Sequence, residues 1–203
     1  MNADATNLIP MVATDAPSHA IAGWLYRPLL KYDKDLNLTG DLARAWHVED
    51  GGRTIRFFLR RNARWTDGVP FSSADCAFTL ALIRDPKTQS PYASDFALIS
   101  GWETPDPYTF VVRYREPFAP ALSSWAGLAI LPEHVFAGED IMHTKLARAP
   151  KATIGPYRLA GWRPQQEIRL IANPDYYDGP VWIAERRVRI IPDAATQFLE
   201  LLA

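Results

Sequence analysis

Arg53-Thr-Ile-Arg-Phe-Phe-Leu-Arg-Arg-Asn-Ala-Arg-Trp65-Thr-Asp-Gly68-Val-Pro-Phe-Ser-Ser-Ala-Asp75 is the stretch from which the rest of the chain can be read. Its first part, Thr54 to Leu59, alternates imperfectly and is rich in β-branched and aromatic residues, as a strand buried on one face would be. Asp67-Gly68 is a turn signal, because glycine takes a positive φ without steric cost. Ser72 with Asp75 three residues on has the form of a capping box, in which hydroxyl and carboxylate satisfy free amides at a helix start. The helix should run to about Arg84, where Asp85-Pro86 breaks it. Strand, turn and capped helix make the local reading mixed α and β.

Working outward, Ser18 to Leu30 reads as a helix, with Ile21, Trp24, Leu25 and Leu29 at roughly helical spacing and Pro28 weakening its end. Tyr108 to Tyr114 is the clearest strand. Further strands are expected over Tyr157 to Trp162, Glu167 to Ala172 and Ala184 to Ile191. A last helix opens at Asp193 and is still apolar and periodic through Phe198, Leu199, Leu201 and Leu202 where the chain ends. There is no internal repeat.

With 203 residues, 48% of them apolar, the chain can bury a sizeable core. A formal net charge of -1 gives no electrostatic reason to expect nucleic acid as a partner. No stretch approaches the ~20 uninterrupted apolar residues of a spanning helix. Met1-Asn-Ala-Asp-Ala-Thr6 lacks the basic region and apolar run of a signal peptide. The lone Cys76 sits in an apolar helical run and reads as an inert core thiol. His19, His47, His134 and His143 show no metal spacing, and there is no nucleophile elbow or phosphate loop. No cofactor is expected.

The order of the motifs resembles the peptide/nickel class of extracellular solute-binding proteins, the ligand receptors of ABC importers. The central stretch carries that class's Arg-x-x-x-x-Trp-Thr-Asp-Gly turn. Leu25-Tyr-Arg-Pro-Leu-Leu-Lys-Tyr-Asp33 looks like its opening helix, and Gly40-Asp-Leu-Ala-Arg-Ala-Trp46 like its Leu-Ala-x-x-Trp element. Gly155-Pro-Tyr-Arg-Leu159, Asn173-Pro-Asp-Tyr-Tyr177 and Arg189-Ile-Ile-Pro-Asp193 follow in the class's order. One departure stands out: Thr153-Ile154 precede Gly155-Pro-Tyr157 where the class has Gly-Thr, which implies a less tight backbone path. The resemblance implies a type II periplasmic-binding-protein lobe I, an α/β fold with an inserted α/β subdomain. Lobe I would be discontinuous, residues 1–26 and 133–203, with the subdomain at 27–132. A second lobe and an export signal are expected to be absent from this chain.

The resemblance also implies the function: capture of a short peptide or related small solute in the periplasm, or outside the cell on a membrane tether, and delivery to the transmembrane subunits of an ABC permease. No catalytic or metal-ligating residue is expected. In the oligopeptide branch, a Ser-Pro-Tyr-Ala-Ser segment places its tyrosine on the bound peptide, which makes Tyr92 the first candidate contact. A phenol suits this, offering a stacking face and a polar tip. The segment Thr14-Asp15-Ala16-Pro-Ser-His19, between an N-terminal strand and the first helix, would lend backbone groups to an extended peptide, with Asp15 or His19 adding a side-chain contact or simply opening the helix. Trp24 and Trp125 read as core or interface residues, and Asp67 and His134 as turn and packing residues. An exposed apolar face at Phe198, Leu199 and Leu202 would favour self-association. The rival reading, a carbohydrate-binding module or glycoside-active enzyme, rests on seven Trp and eight Tyr. It would need an aromatic platform or two facing carboxylates.

Overall fold

The computed structural model describes residues 1–202. Its central sheet has four antiparallel strands in the order β3 (Ala43–Glu49), β4 (Thr54–Leu59), β6 (Thr109–Tyr114) and β5 (Ile99–Asp106). The strand read first from sequence, β4, lies inside this sheet, with Phe57 opposite Phe110 on one side and Trp46 on the other. Ile55, Phe57 and Leu59 are buried. Phe57 and its cross-strand partner Phe110 meet Trp125 of α3 (Ala121–Gly127), whose ring lies 5.4 Å from Phe57 and 5.6 Å from Phe110. The Trp125 indole donates to the Tyr114 hydroxyl at 3.0 Å, so the one polar atom of this buried ring is satisfied.

Helix α2 (Ser73–Arg84) buries Cys76, Leu80 and Ile83, one face of the helix at i, i+4 and i+7. Burial pushes the Cys76 thiol well up, as expected of an inert core cysteine. Strands β7 (Tyr157–Arg163), β8 (Glu167–Ala172) and β9 (Glu185–Arg189) form a separate antiparallel sheet, and a two-stranded ribbon joins β1 (Leu30–Tyr32) to β2 (Leu38–Gly40). Two further helices are α4 (Glu133–Phe136) and α5 (Ala194–Leu202). In α5, Phe198, Leu199 and Leu202 are exposed, whereas the Leu201 side chain lies outside the described residues.

Three expectations need correction. Helix α1 spans Ala16–Leu25 instead of Ser18 to Leu30. Asp15 caps it two residues earlier than read, and Tyr26 is already extended (φ -120°, ψ 154°). The proline at 28 disfavours helix at Arg27, so the segment thought to open with a helix runs out into β1. The segment before α1 forms no strand. It is held by isolated bonds, such as Leu8 N to the Ala147 carbonyl at 2.8 Å and Ile191 N to the Met1 carbonyl at 2.8 Å. Strands β1, β2, β3 and β5 were not expected. β5 contains Gly101 and Pro105, which local strand preference penalises and an edge position tolerates.

Candidate functional site

Asp75 ties together the start of α2, the start of α4 and the turn at Trp65. Its carboxylate accepts the Ser72 amide at 2.9 Å, the Glu133 amide at 3.0 Å and the Trp65 indole at 3.3 Å. One buried side chain thus closes the capping box, starts α4 and holds the Trp65 turn. Burial raises its pKa above the ordinary value, although the donors that face it pull the other way. Asp67, two residues after Trp65, accepts the Val69 amide at 3.2 Å and contacts His134 Nε2 at 2.7 Å, a turn and packing arrangement. Gly68 has a φ of 91°.

A cavity of about 540 Å³ opens between α1, α3 and the segment after α2. Its wall is mostly apolar, with Met11, Phe96 and Leu128, and carries three titratable side chains, His19, Tyr92 and Asp95. The half-buried Tyr92 hydroxyl lies 2.8 Å from His19 Nε2 and 3.3 Å from the Ala13 carbonyl, while Ser90 Oγ donates to the Met11 carbonyl at 2.5 Å. Two candidates 73 residues apart in sequence are therefore joined in space, and the Ser90-Pro-Tyr-Ala-Ser94 segment is pinned to the stretch from Met11 to the first turn of α1. An adjoining recess of about 290 Å³, reached past His19, is lined by Tyr26, Arg27 and Lys31.

Thr14 and Ala16 are exposed neighbours of this junction and are not part of the cavity wall. The Asp15 carboxylate is engaged as the N-cap of α1, accepting Ser18 N at 2.7 Å, Ser18 Oγ at 2.7 Å and Thr6 Oγ1 at 2.6 Å. Desolvation, the largest single influence on Asp15, acts upward, but these hydrogen bonds together hold its pKa below the ordinary value. Sequence reasoning missed Met11, Asp95, Phe96 and Leu128. Asp95 adjoins the quoted segment, but its facing the cavity depends on the turn at Ala93–Phe96.

Close packing at the other end of α1 involves Gly155. A Cβ there would stand 2.2 Å from the Trp24 carbonyl oxygen, so this is the tight point of the backbone. Ile154 beside it is fully buried, and both residues donate to the Leu25 carbonyl, at 2.9 and 2.8 Å. The path stays tight despite the departure at Ile154, with its demand for glycine at the next position.

Comparison with known proteins gives a consistent result. The model of bacterial extracellular solute-binding proteins, family 5, middle region, matches residues 37–203. A putative ABC transporter peptide-binding protein of Brucella ovis is 32% identical over 199 residues, which is 96% of this chain and 37% of that protein. The oligopeptide-binding protein AppA of Bacillus subtilis is 26% identical over 200 residues, 95% of this chain and 36% of the relative. The solved structure of AppA with a nonapeptide superposes with a TM-score of 0.95 at 23% identity, covering 99% of this chain and 41% of that one. NikZ from Campylobacter jejuni, in complex with Ni(L-His), gives a TM-score of 0.90 at 24% identity, covering 97% of this chain and 39% of that one. The chain thus spans well under half the length of these relatives.

Proposed function

Because this chain belongs to the bacterial extracellular solute-binding proteins of family 5, we propose that it supplies one wall of a receptor cleft that captures short peptides for an ABC importer. The observation that carries this reading is the Tyr92–His19 junction on the rim of an apolar cavity of about 540 Å³. Small-molecule sites have this character, a largely apolar concavity with a few fixed polar groups. The Brucella and Bacillus relatives are named as peptide-binding and oligopeptide-binding proteins, which favours peptides over other solutes.

The proposed contacts are Tyr92 and His19 through their side chains and Thr14, Asp15 and Ala16 through the backbone at the entry to α1. The opposing wall belongs to polypeptide beyond the third or so of the relatives that this chain matches. Closure of two lobes about a hinge would then bury the ligand, and no bond is made or broken. Lobe I is assigned to 1–26 and 133–203 and the subdomain to 27–132. In support, the four-stranded sheet lies wholly within 43–114 and the three-stranded sheet within 157–189. The protein acts outside the cytoplasmic membrane; among the described residues no helix is long and apolar enough to cross one. Self-association of the 203-residue piece through the exposed α5 face belongs to the same reading.

Native mass spectrometry of the full-length protein, purified without refolding, tests it. A co-purified peptide released by denaturation is the expected result. A bound sugar or metal chelate in its place would overturn the peptide assignment.

A further inference from the structure

Asp95 is the one carboxylate on the cavity wall; it is exposed, and among the described residues no side chain or amide donates to it. The remaining titratable groups of the wall are His19 and Tyr92, and their hydrogen bonds determine what they offer. The phenol has one proton. That proton can be given to the Ala13 carbonyl at 3.3 Å or to His19 Nε2 at 2.8 Å, and the imidazole takes the complementary role.

The adjoining recess contributes cations, and each has a carboxylate partner. Arg27 donates through Nε to the buried Asp41 at 2.8 Å, and Lys31 donates at 2.7 Å to Asp178, which it shares with Arg60. The other titratable groups there, Tyr26 and Tyr32, are phenols, and burial raises the Tyr26 pKa, which keeps that phenol neutral. The Tyr26 hydroxyl is buried without a partner and borders this recess. The carboxylate left without a protein partner along the depression is that of Asp95, an exposed residue on the wall that it shares with Phe96 and Leu128.

We propose that this wall selects a cationic group of the ligand, a primary ammonium or guanidinium carried on an apolar stem, with Asp95 as its counter-ion. The proposal rests on the binding-cleft reading and narrows its ligand class. Arg and Lys side chains fit this chemistry because their methylenes bury while the charged head stays paired. A peptide amino terminus offers the same ammonium.

The test uses the full-length protein and its Asp95→Asn variant, with unchanged melting temperature as the check on folding. Calorimetry compares peptides that differ only in Lys against norleucine, each with a free or acetylated amino terminus. A second arm compares benzylammonium with benzyl alcohol by NMR titration. Wild type should favour the cation roughly three- to tenfold, the range expected for an ion pair between partly exposed and desolvated, and Asp95→Asn should lose that preference. Loss on replacing Lys assigns the site to a side chain, and loss on acetylation assigns it to the amino terminus. Equal binding of the charged and neutral partners by wild type in both arms overturns the proposal. If no peptide binds but benzylammonium is still selected through Asp95, the peptide reading falls and the cation site stands.

Discussion

The Tyr177 hydroxyl donates to the buried carboxylate of Asp41, 136 residues earlier in the chain. The same carboxylate accepts Arg27 Nε at 2.8 Å, and the Arg60 guanidinium donates to the Asp41 carbonyl at 2.6 Å while lying over the Tyr177 ring. Burial is the main reason the Tyr177 phenol stays protonated, reinforced by the charge of Asp41. Two motifs that looked like separate family marks, Gly40-Asp41 and Tyr176-Tyr177, are thus two halves of one buried contact. Tyr177→Phe should destabilise the protein by about 1–3 kcal/mol, because an acceptor is left short of a donor in a buried site. A double-mutant cycle with Asp41→Asn, read by chemical denaturation, should show coupling above about 0.5 kcal/mol. Additive effects would mean that the two side chains act independently.

Gly155→Ala should be among the most damaging single-methyl changes in the chain, since the new Cβ would lie 2.2 Å from the Trp24 carbonyl. Displacing backbone in a close-packed region costs about 1–3 kcal/mol or more. The check is a thermal melt beside Gly161→Ala, where no atom lies within 4 Å of the added Cβ. Equal losses would contradict the packing argument.

Replacing Ser72 by Ala should cost about 1 kcal/mol through the lost cap. Changing Ser73 as well should cost more than capping alone, because Ser73 is buried and its hydroxyl donates to the Asp106 carbonyl at 2.7 Å. Ligand affinity should be unchanged in both variants when measured by calorimetry on the full-length protein.

The pH dependence of stability should carry the mark of Asp75. Its folded pKa is raised, chiefly by burial, above the ordinary 3.8. Between the two values the folded state holds more protons than the unfolded state, so this group's contribution is present below about pH 3.8 and falls as pH rises through the folded pKa. Asp75→Asn should be less stable throughout, having lost acceptors, yet lack that downward step. A difference between the two proteins that is flat across acidic pH would contradict the assignment.

Tyr92→Ala in the full-length protein should weaken peptide binding by about 1–3 kcal/mol if the phenol meets the ligand. It should also lower the melting temperature, contrary to what an exposed loop residue would do, because Tyr92 is half-buried and bonded to Ala13 and to His19 of α1. Tyr92→Phe separates the two effects, since it keeps the ring and loses only the hydroxyl. Unchanged affinity in the Ala variant would remove Tyr92 from the site.

Local chemistry was enough for β4, α2, β6 and β8, and for the cap at Ser72 and Asp75, because each depends on residues within a few positions of one another. The family was legible for a related reason: its motifs mark turns and caps whose backbone demands limit the residue types. The remainder was decided only in three dimensions. β5 is a strand because β6 offers it a ladder, against the preference of its own Gly and Pro. Asp75 is written as a cap, but its bond to the Glu133 amide, 58 residues on, arises from packing. The candidate site follows the same division. Tyr92 and His19 could be named separately from sequence, whereas their 2.8 Å contact, the place of Asp95 on the cavity wall and the ion pairs of Arg27 and Lys31 depend on chain segments far apart in sequence. Such contacts form when burial of the core repays the entropy of closing long loops, and that balance leaves no local pattern in the sequence.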